Sequence, residues 1–448
     1  MRLIQIHLMA TFLKHTKSVA SRPISGSAEK TNNSYFLTKQ TCAQTQYKST
    51  NMKKLSLLLF SLFLFNSCSL IKLIKHKNKE DLIASNTLCP FDIKNDKIIL
   101  NTIFPNSEQH NMALDLGAGT TILLKNSGLH YIDSLQPELS YGKISSADNQ
   151  KQKIQFSSIG SVETDALKIN NAFLPLFPDF QGLACSKVVG VWGADAFDEK
   201  ILLLRMQDST IAVFDTLPSL KDWTMVESKY KYPHFYVILK VGTQKVRLLF
   251  DTGSSSGIVM SEDLYNEKIE SQAQFIKDYQ KWYGHAFNTA SGLTAADTTI
   301  TAILTHSFWG DFPVDSIPIT ISNKIKRSVM GMDVFKRFNI LLDYSGNKIY
   351  IQNNPNFILT NEKMYVSQMG FNYRNMDGNK VIVIVIKSNS FAEKAGLKIN
   401  DEIISINGIS LDASDPCKVD EIFNQMASKE NGNRINVKRG NETLTFIF

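Results

Sequence analysis

Asp251 closes the apolar run of Val246, Leu248, Leu249 and Phe250 and is followed at once by Thr252, Gly253 and the serines Ser254, Ser255 and Ser256. A carboxylate at the edge of an apolar core needs hydrogen-bond donors or a shared proton, because desolvation penalises its charge. The residues after it can meet that need. Thr252 and the three serines bring hydroxyls, and Gly253 allows a sharp turn that swings backbone N–H groups towards the acid. An ordinary strand ended by an Asp-Thr-Gly turn has the same composition, so the stretch alone leaves both readings open.

The layout occurs a second time, well upstream. Met112, Ala113 and Leu114 lead into Asp115, Leu116, Gly117 and Ala118, and a second apolar strand follows to Leu124. Each acid is succeeded by an apolar run into glycine, and the spacing from Asp115 to Gly193 nearly equals that from Asp251 to Gly331. Both continue as Gly-x-Asp-x-Phe, with Asp195 and Phe197 in one unit and Asp333 and Phe335 in the other. Apolar strands, Lys200 to Leu204 and Phe338 to Tyr344, close the units. Self-similarity on this scale marks a duplicated structural unit. Two such units packed about a pseudo-two-fold axis would bring Asp115 and Asp251 together, where two close carboxylates titrate as a coupled pair sharing one proton. The ionised member can take a proton from water while the protonated member hydrogen-bonds a scissile carbonyl. Such chemistry requires neither a metal nor a nucleophilic side chain.

Asp251-Thr252-Gly253-Ser254 resembles the active-site motif of pepsin-like and retroviral-type aspartic proteases, and Val329-Met330-Gly331 resembles the apolar-apolar-glycine motif that crosses beside it. Asp115-Leu116-Gly117-Ala118 is similar to the same motif, with Val188-Val189-Gly190 or Val191-Trp192-Gly193 as its companion; the spacing favours Gly193. The resemblance, spanning residues of about 90 to 355, implies a mainly β, two-lobed acid-protease β-barrel fold, of bacterial type and with small lobes closer to the retroviral kind. It implies Asp115 and Asp251 as the catalytic pair of an aspartic-type endopeptidase, supported by Gly117, Thr252, Gly253 and Ser254. Peptides or unfolded proteins would be the substrates, with no cofactor. Leu116 departs from the pattern, since the family places a hydroxyl side chain after each acid. A degenerate, non-catalytic pair of peptide-binding lobes is the alternative. Tyr141 to Gly160 and Phe287 to Leu304 alternate apolar and polar residues and read as hairpins, candidates for flaps over a cleft.

Around these units the chain has 448 residues, enough for several domains. Its formal charge of +7 is concentrated at the start: the stretch from Met1 to Ser67 holds nine of the 49 Lys and Arg but one of the 42 Asp and Glu. The remainder is near neutral and has no basic, aromatic-interleaved patch, which argues against nucleic acid as a partner. Met52, Lys53 and Lys54 followed by the apolar run Leu55 to Phe65 and then Cys68 make the charge, core and cleavage layout of a secretory signal. It resembles a bacterial lipoprotein signal, which implies lipidation of Cys68 and a protein held on a membrane of the bacterial cell envelope, periplasmic or facing outward. Residues 1–51 then read as unstructured and outside the mature protein, 52–68 as the signal, and 69–88 as a basic tether suited to a lipid surface. Cys89, Cys185 and Cys417 show no disulfide framework, and scattered His234, His285 and His306 show no metal-ligand spacing.

Composition changes again after Phe357. Lys380 to Ile386 reads as a strand, Ser390 to Leu411 as a short helix, a turn and a strand, and Val419 to Ser428 as an amphipathic helix. With Ala392, Ala395-Gly396-Leu397, Asp401, Ile403 and Asn407-Gly408, this order resembles a PDZ domain over 362–448. The resemblance implies that Gln368, Met369, Gly370 and Phe371 form a peptide-binding loop. The expected organisation is first lobe 89–215, second lobe 216–358, then this domain.

Overall fold

The computed structural model describes residues 69–125, 130–148, 150–178, 188–289, 292–359, 370–376, 380–427 and 432–447. The signal segment with Cys68, residues 1–51, Cys185, and Gln368 and Met369 lie outside them. All described residues fall within one compact unit, Phe63–Phe448.

In the first half, Lys97–Ile103 and Gln109–Leu114 pair antiparallel, with Ile99 opposite Ala113, and bury Ile98, Leu100, Met112 and Leu114. Val188–Trp192 runs parallel to Gln109–Leu114 and antiparallel to Ile122–Lys125, so it is inserted between the strands that flank Asp115. Every residue of that inserted strand is buried, as a strand covered on both faces requires. The second half repeats the arrangement: Val329–Met330 lies parallel to Gln244–Phe250 and antiparallel to Ile258–Ser261. Long outer hairpins alternate instead. In Lys151–Glu163 the side chains of Ile154 and Phe156 turn inward while Lys153 and Gln155 face out, the two-residue period of a half-buried strand.

A six-stranded sheet joins the halves. Ile201–Arg205 of the first pairs antiparallel with Phe338–Asp343 of the second, Leu202 opposite Leu342 and Leu204 opposite Ile340. Thr210–Phe214 and Cys89–Pro90 extend it on one side, Lys348–Asn353 and Thr224–Val226 on the other. One hydrophobic cluster runs from Ala84 to Ile351 through this sheet.

The expectation of two closed acid-protease β-barrels is corrected here. The second-half strands run as an open path that ends on Ile276–Gly284, and there Lys380–Lys387 of the C-terminal unit continues the same sheet, Tyr283 opposite Ile386 and Gly284 opposite Val385. The result is a mainly β, multi-sheet fold. The physical reason is pairing: the edge of Ile276–Gly284 carries backbone donors and acceptors that closure would have satisfied within the lobe, and the C-terminal strand satisfies them instead. His285 N–H donates to Ile384 O at 2.7 Å and Ser388 N–H to Lys281 O at 2.8 Å, which locks the junction.

Residues 69–88 are packed against the first lobe. Residues 69–77 are helical, and Asp81–Ala84 pairs with Leu167–Pro178 at the edge of the first sheet. No helix among the described residues is long and apolar enough to cross a membrane.

Candidate functional site

The inserted strands aim both acids at the join between the halves. Asp115 N–H donates to Trp192 O and Asp251 N–H to Met330 O, each at 3.0 Å, so the two acids leave their strands at equivalent points and Gly193 matches Gly331. Only glycine fits where the two acid loops meet. A Cβ on Gly117 would lie 2.4 Å from Asp251 Cγ, and one on Gly253 would lie 2.3 Å from Asp115 Cγ. Each loop therefore packs its glycine on the opposite carboxylate, which makes the two carboxyl groups close neighbours. Asp115 Oδ1 also accepts from Ala118 N–H at 2.9 Å, and Asp251 Oδ1 from Gly253 N–H at 2.9 Å. Burial and then the neighbouring Asp115 charge push the Asp251 carboxyl well above its ordinary value.

Support for the pair is one-sided. Thr252, fully buried, accepts from Leu116 N–H at 3.0 Å and donates to Leu114 O at 2.9 Å, bridging the halves. Leu116, 2% exposed, occupies the corresponding place in the other loop and has no hydroxyl to return the bridge. Ser254 acts through its backbone, its N–H donating to Asp251 O at 3.3 Å and its carbonyl accepting from Met332 N–H at 2.9 Å.

Two residues absent from the sequence-derived set stand beside the pair. Lys97 Nζ donates to Gly253 O at 2.6 Å, and its charge opposes the upward push on Asp251. His234 Nδ1 lies 3.4 Å from Leu116 O, and burial holds the imidazole below its ordinary value. Neither sits in a recognisable motif; both begin strands and reach the site only through long-range pairing. The Lys97 strand also brings Asp96 into an ion pair with Lys336 of the second half. Asn95 and Asp96, at φ 50° and 58°, form the tight turn that makes this reach possible.

The first candidate flap is a hairpin, Leu139–Ser145 with Lys151–Glu163. Its turn touches the second half, Ala147 O accepting from Lys326 N–H at 3.2 Å while Ala147 and Phe287 pack against Leu249, Val259, Ile325 and Val329. The second segment forms the short hairpin Asn288–Thr289 with Gly292–Leu293 and the strand Asp297–Leu304.

In the C-terminal unit, Ser390 caps the helix Phe391–Ala395 by accepting from Glu393 N–H, and Gly396 ends it at φ 90°. Asn407 and Gly408, at φ 51° and 83°, turn Glu402–Ile406 into Ile409–Ser410. Asp401 is buried and accepts from Arg439 Nε at 2.7 Å, Arg439 Nη2 at 2.6 Å and Lys398 N–H at 2.8 Å. Gly370 adopts φ 77° at the entry to Phe371–Met376, a strand that pairs antiparallel with Lys380–Lys387. Tyr373 of that strand stacks on Phe423 of the helix Pro416–Ala427 and donates to Asp420 at 2.6 Å. Gly370 and Phe371 are thus placed at the head of a strand lying beside a helix.

A PDZ domain model matches residues 359–434. Among solved structures, the chain is similar to conglutin gamma, a basic 7S globulin from lupine seeds, at 10% identity and TM-score 0.36, over 61% of this chain and 95% of that one. It is similar to basic 7S globulin from soybean at 10% identity and TM-score 0.37, over 62% and 100%. No curated protein matches. Among the described residues no three or more His, Cys, Asp and Glu side chains converge as metal ligands.

The expectation of an active aspartic endopeptidase, and of a retropepsin-like hydrolase in particular, is corrected to what the family comparison shows, a match to a PDZ domain over residues 359–434. The physical reason at the site is its asymmetry. Leu116 supplies no second hydroxyl bridge. The non-catalytic alternative goes forward. The chain carries a C-terminal PDZ domain, preceded by two halves that repeat one arrangement of strands around Asp115 and Asp251.

Proposed function

We propose that this chain is a lipid-anchored, non-catalytic peptide-binding protein of the bacterial cell envelope, held through Cys68 and facing the periplasm or outward. The observation that carries the reading is the placement of the strand Phe371–Met376, paired with Lys380–Lys387, beside the helix Pro416–Ala427. An extended peptide adds to such an edge as one more strand, its backbone giving affinity and the adjacent helix giving selectivity. Gln368 and Met369 with Gly370 and Phe371 would receive the peptide terminus in this reading. The join between the halves where Asp115 and Asp251 meet would be a second place for a chain, the two acids serving there as hydrogen-bonding groups and not as a hydrolytic pair.

Fluorescence polarisation with a peptide library tests this. Peptides with a free terminal carboxylate should bind about tenfold or more tightly than their amidated forms. The same peptides, incubated from acidic to neutral pH and examined by mass spectrometry, should stay intact. Absence of binding by either form overturns the recognition reading, and cleavage that Asp251→Asn abolishes overturns the non-catalytic one.

A further inference from the structure

The segment that follows Cys68 carries a helix with two differently used faces. At 3.6 residues per turn, residues 69–77 place Leu73, His76 and Lys77 on one side and Ile71, Ile74 and Lys75 on the other. The first side is fixed to the protein. The His76 ring stacks on Phe173 at 4.2 Å, and Leu73 packs with Leu139, Ile154, Phe156 and Phe173. Lys77 pairs with Glu80 at 2.9 Å and with Asp195 at 3.7 Å, and Glu80 accepts from Phe173 N–H at 2.7 Å. Asp195 in turn accepts from Thr120 Oγ1 and from Thr121 N–H and Oγ1, so the helix is tied into the loop that follows Asp115.

The other side is open. Ile71 is 62% and Ile74 38% exposed with the exposed Lys75 on their side, while Lys72, which also donates to Glu138 O at 3.4 Å, and Lys79 just past the helix are exposed too. Isoleucine in water with lysines about it is the composition of a helix lying in a lipid interface: the apolar pair enters the acyl boundary and the ammonium groups stay among anionic headgroups. We propose that residues 69–77 form a foot that seats the first lobe directly on an anionic membrane surface, through Ile71 and Ile74 and the lysines beside them. Ile71 and Ile74 add apolar contact, and the lysines ionic contact, to whatever lipid Cys68 carries. Because the helix is pinned by His76 and Lys77, this contact also sets the orientation of the lobes to the membrane, which a loose tether would leave free.

The inference builds on the membrane location proposed above, yet its test does not depend on lipidation of Cys68. Residues 69–448 contain every contact described here and lie within the compact unit Phe63–Phe448. This protein should co-sediment with vesicles of phosphatidylcholine and phosphatidylglycerol at about three to one and not with phosphatidylcholine alone. The double exchange Ile71→Ser with Ile74→Ser should weaken that partitioning about tenfold or more. Lys72→Gln, Lys75→Gln and Lys79→Gln together should weaken it further at low salt and remove its salt dependence. Equal binding by the isoleucine variant, or no preference for the anionic vesicles, overturns the proposal. So does a fall of several degrees in the melting temperature of the full chain on the same isoleucine exchange, since the pair would then be covered by preceding residues of the chain. A fault in the Cys68 assignment alone would appear as absence of the acyl chain from the full-length protein by mass spectrometry, with vesicle binding of residues 69–448 unaffected.

Discussion

Thr252→Val removes one hydroxyl while keeping the outline of the side chain, and the structure assigns that hydroxyl two jobs. It accepts from Leu116 N–H and donates to Leu114 O, both in the opposite half, at a position with no solvent exposure. With valine present, neither backbone group has water to turn to. Each buried group left without a partner costs about 1 to 3 kcal/mol, so the substitution should destabilise the protein by about 2 to 6 kcal/mol. Thr252→Ser is the control, for it keeps the hydroxyl and deletes one methyl, a loss of about 1 kcal/mol. Urea unfolding followed by fluorescence should therefore separate the two variants by about 3 kcal/mol. Amide hydrogen exchange gives the local readout: protection of the Leu116 amide should fall in the valine variant and be retained in the serine variant. Equal stability of the two variants, with equal protection at Leu116, would refute the idea that one hydroxyl braces the halves.

Other outcomes follow from the same contacts. Burial and the Asp115 charge raise Asp251 above its unfolded value, so its proton favours the folded state: that stability is complete below the unfolded pKa and is lost as pH rises through the higher folded one. Melting temperature measured against pH should show this loss in the natural protein, and Asp251→Asn should flatten the profile and be more stable at neutral pH. Asp401→Ala strands Arg439 and the Lys398 amide and should cost the C-terminal domain about 3 to 5 kcal/mol in chemical denaturation, with Asp401→Asn intermediate. Gly284 has φ 138°, and a Cβ there would lie 2.2 Å from Ile384 O; Gly284→Ala should part the C-terminal domain from the second lobe, seen as new protease sensitivity between residues 284 and 388 and a larger scattering radius.

The repeat was the most legible part of the molecule. Asp115 and Asp251, each answered by Gly193 or Gly331, specify a strand that returns beside the acid, because a buried acid loop needs a neighbouring strand to hold its backbone and a glycine to admit it. Turn chemistry was legible for a similar local reason: Gly396 and Asn407-Gly408 adopt the left-handed conformations that their residue types favour. Lys97 and His234 were not legible, since nothing near either residue in sequence encodes the partner it meets. The same holds for the pairing of Trp282 to Gly284 with Val385 to Lys387, which is made by backbone groups and leaves no side-chain signature. Residues 69–88 read as a basic tether, whereas His76 and Lys77 find Phe173 and Asp195, both far along the chain. Motif resemblance carried the geometry around the acids, and Leu116 is where the sequence departs from it.

The sheet between the halves has a consequence for the order of events during synthesis. Thr224–Val226 waits for Lys348–Asn353, and Ile201–Arg205 waits for Phe338–Asp343, most of a lobe later in each pair. Loop closure over such separations is slow and unrewarded until the last strand arrives. A nascent chain that has released only its first half therefore presents Leu202 and Leu204 on an unpaired edge and cannot settle. Ribosome stalling or proteolysis before Asn353 should yield a sticky fragment in place of a stable lobe. For the envelope location proposed above this delay would be an advantage: the polypeptide stays threadable until nearly all of it has been made.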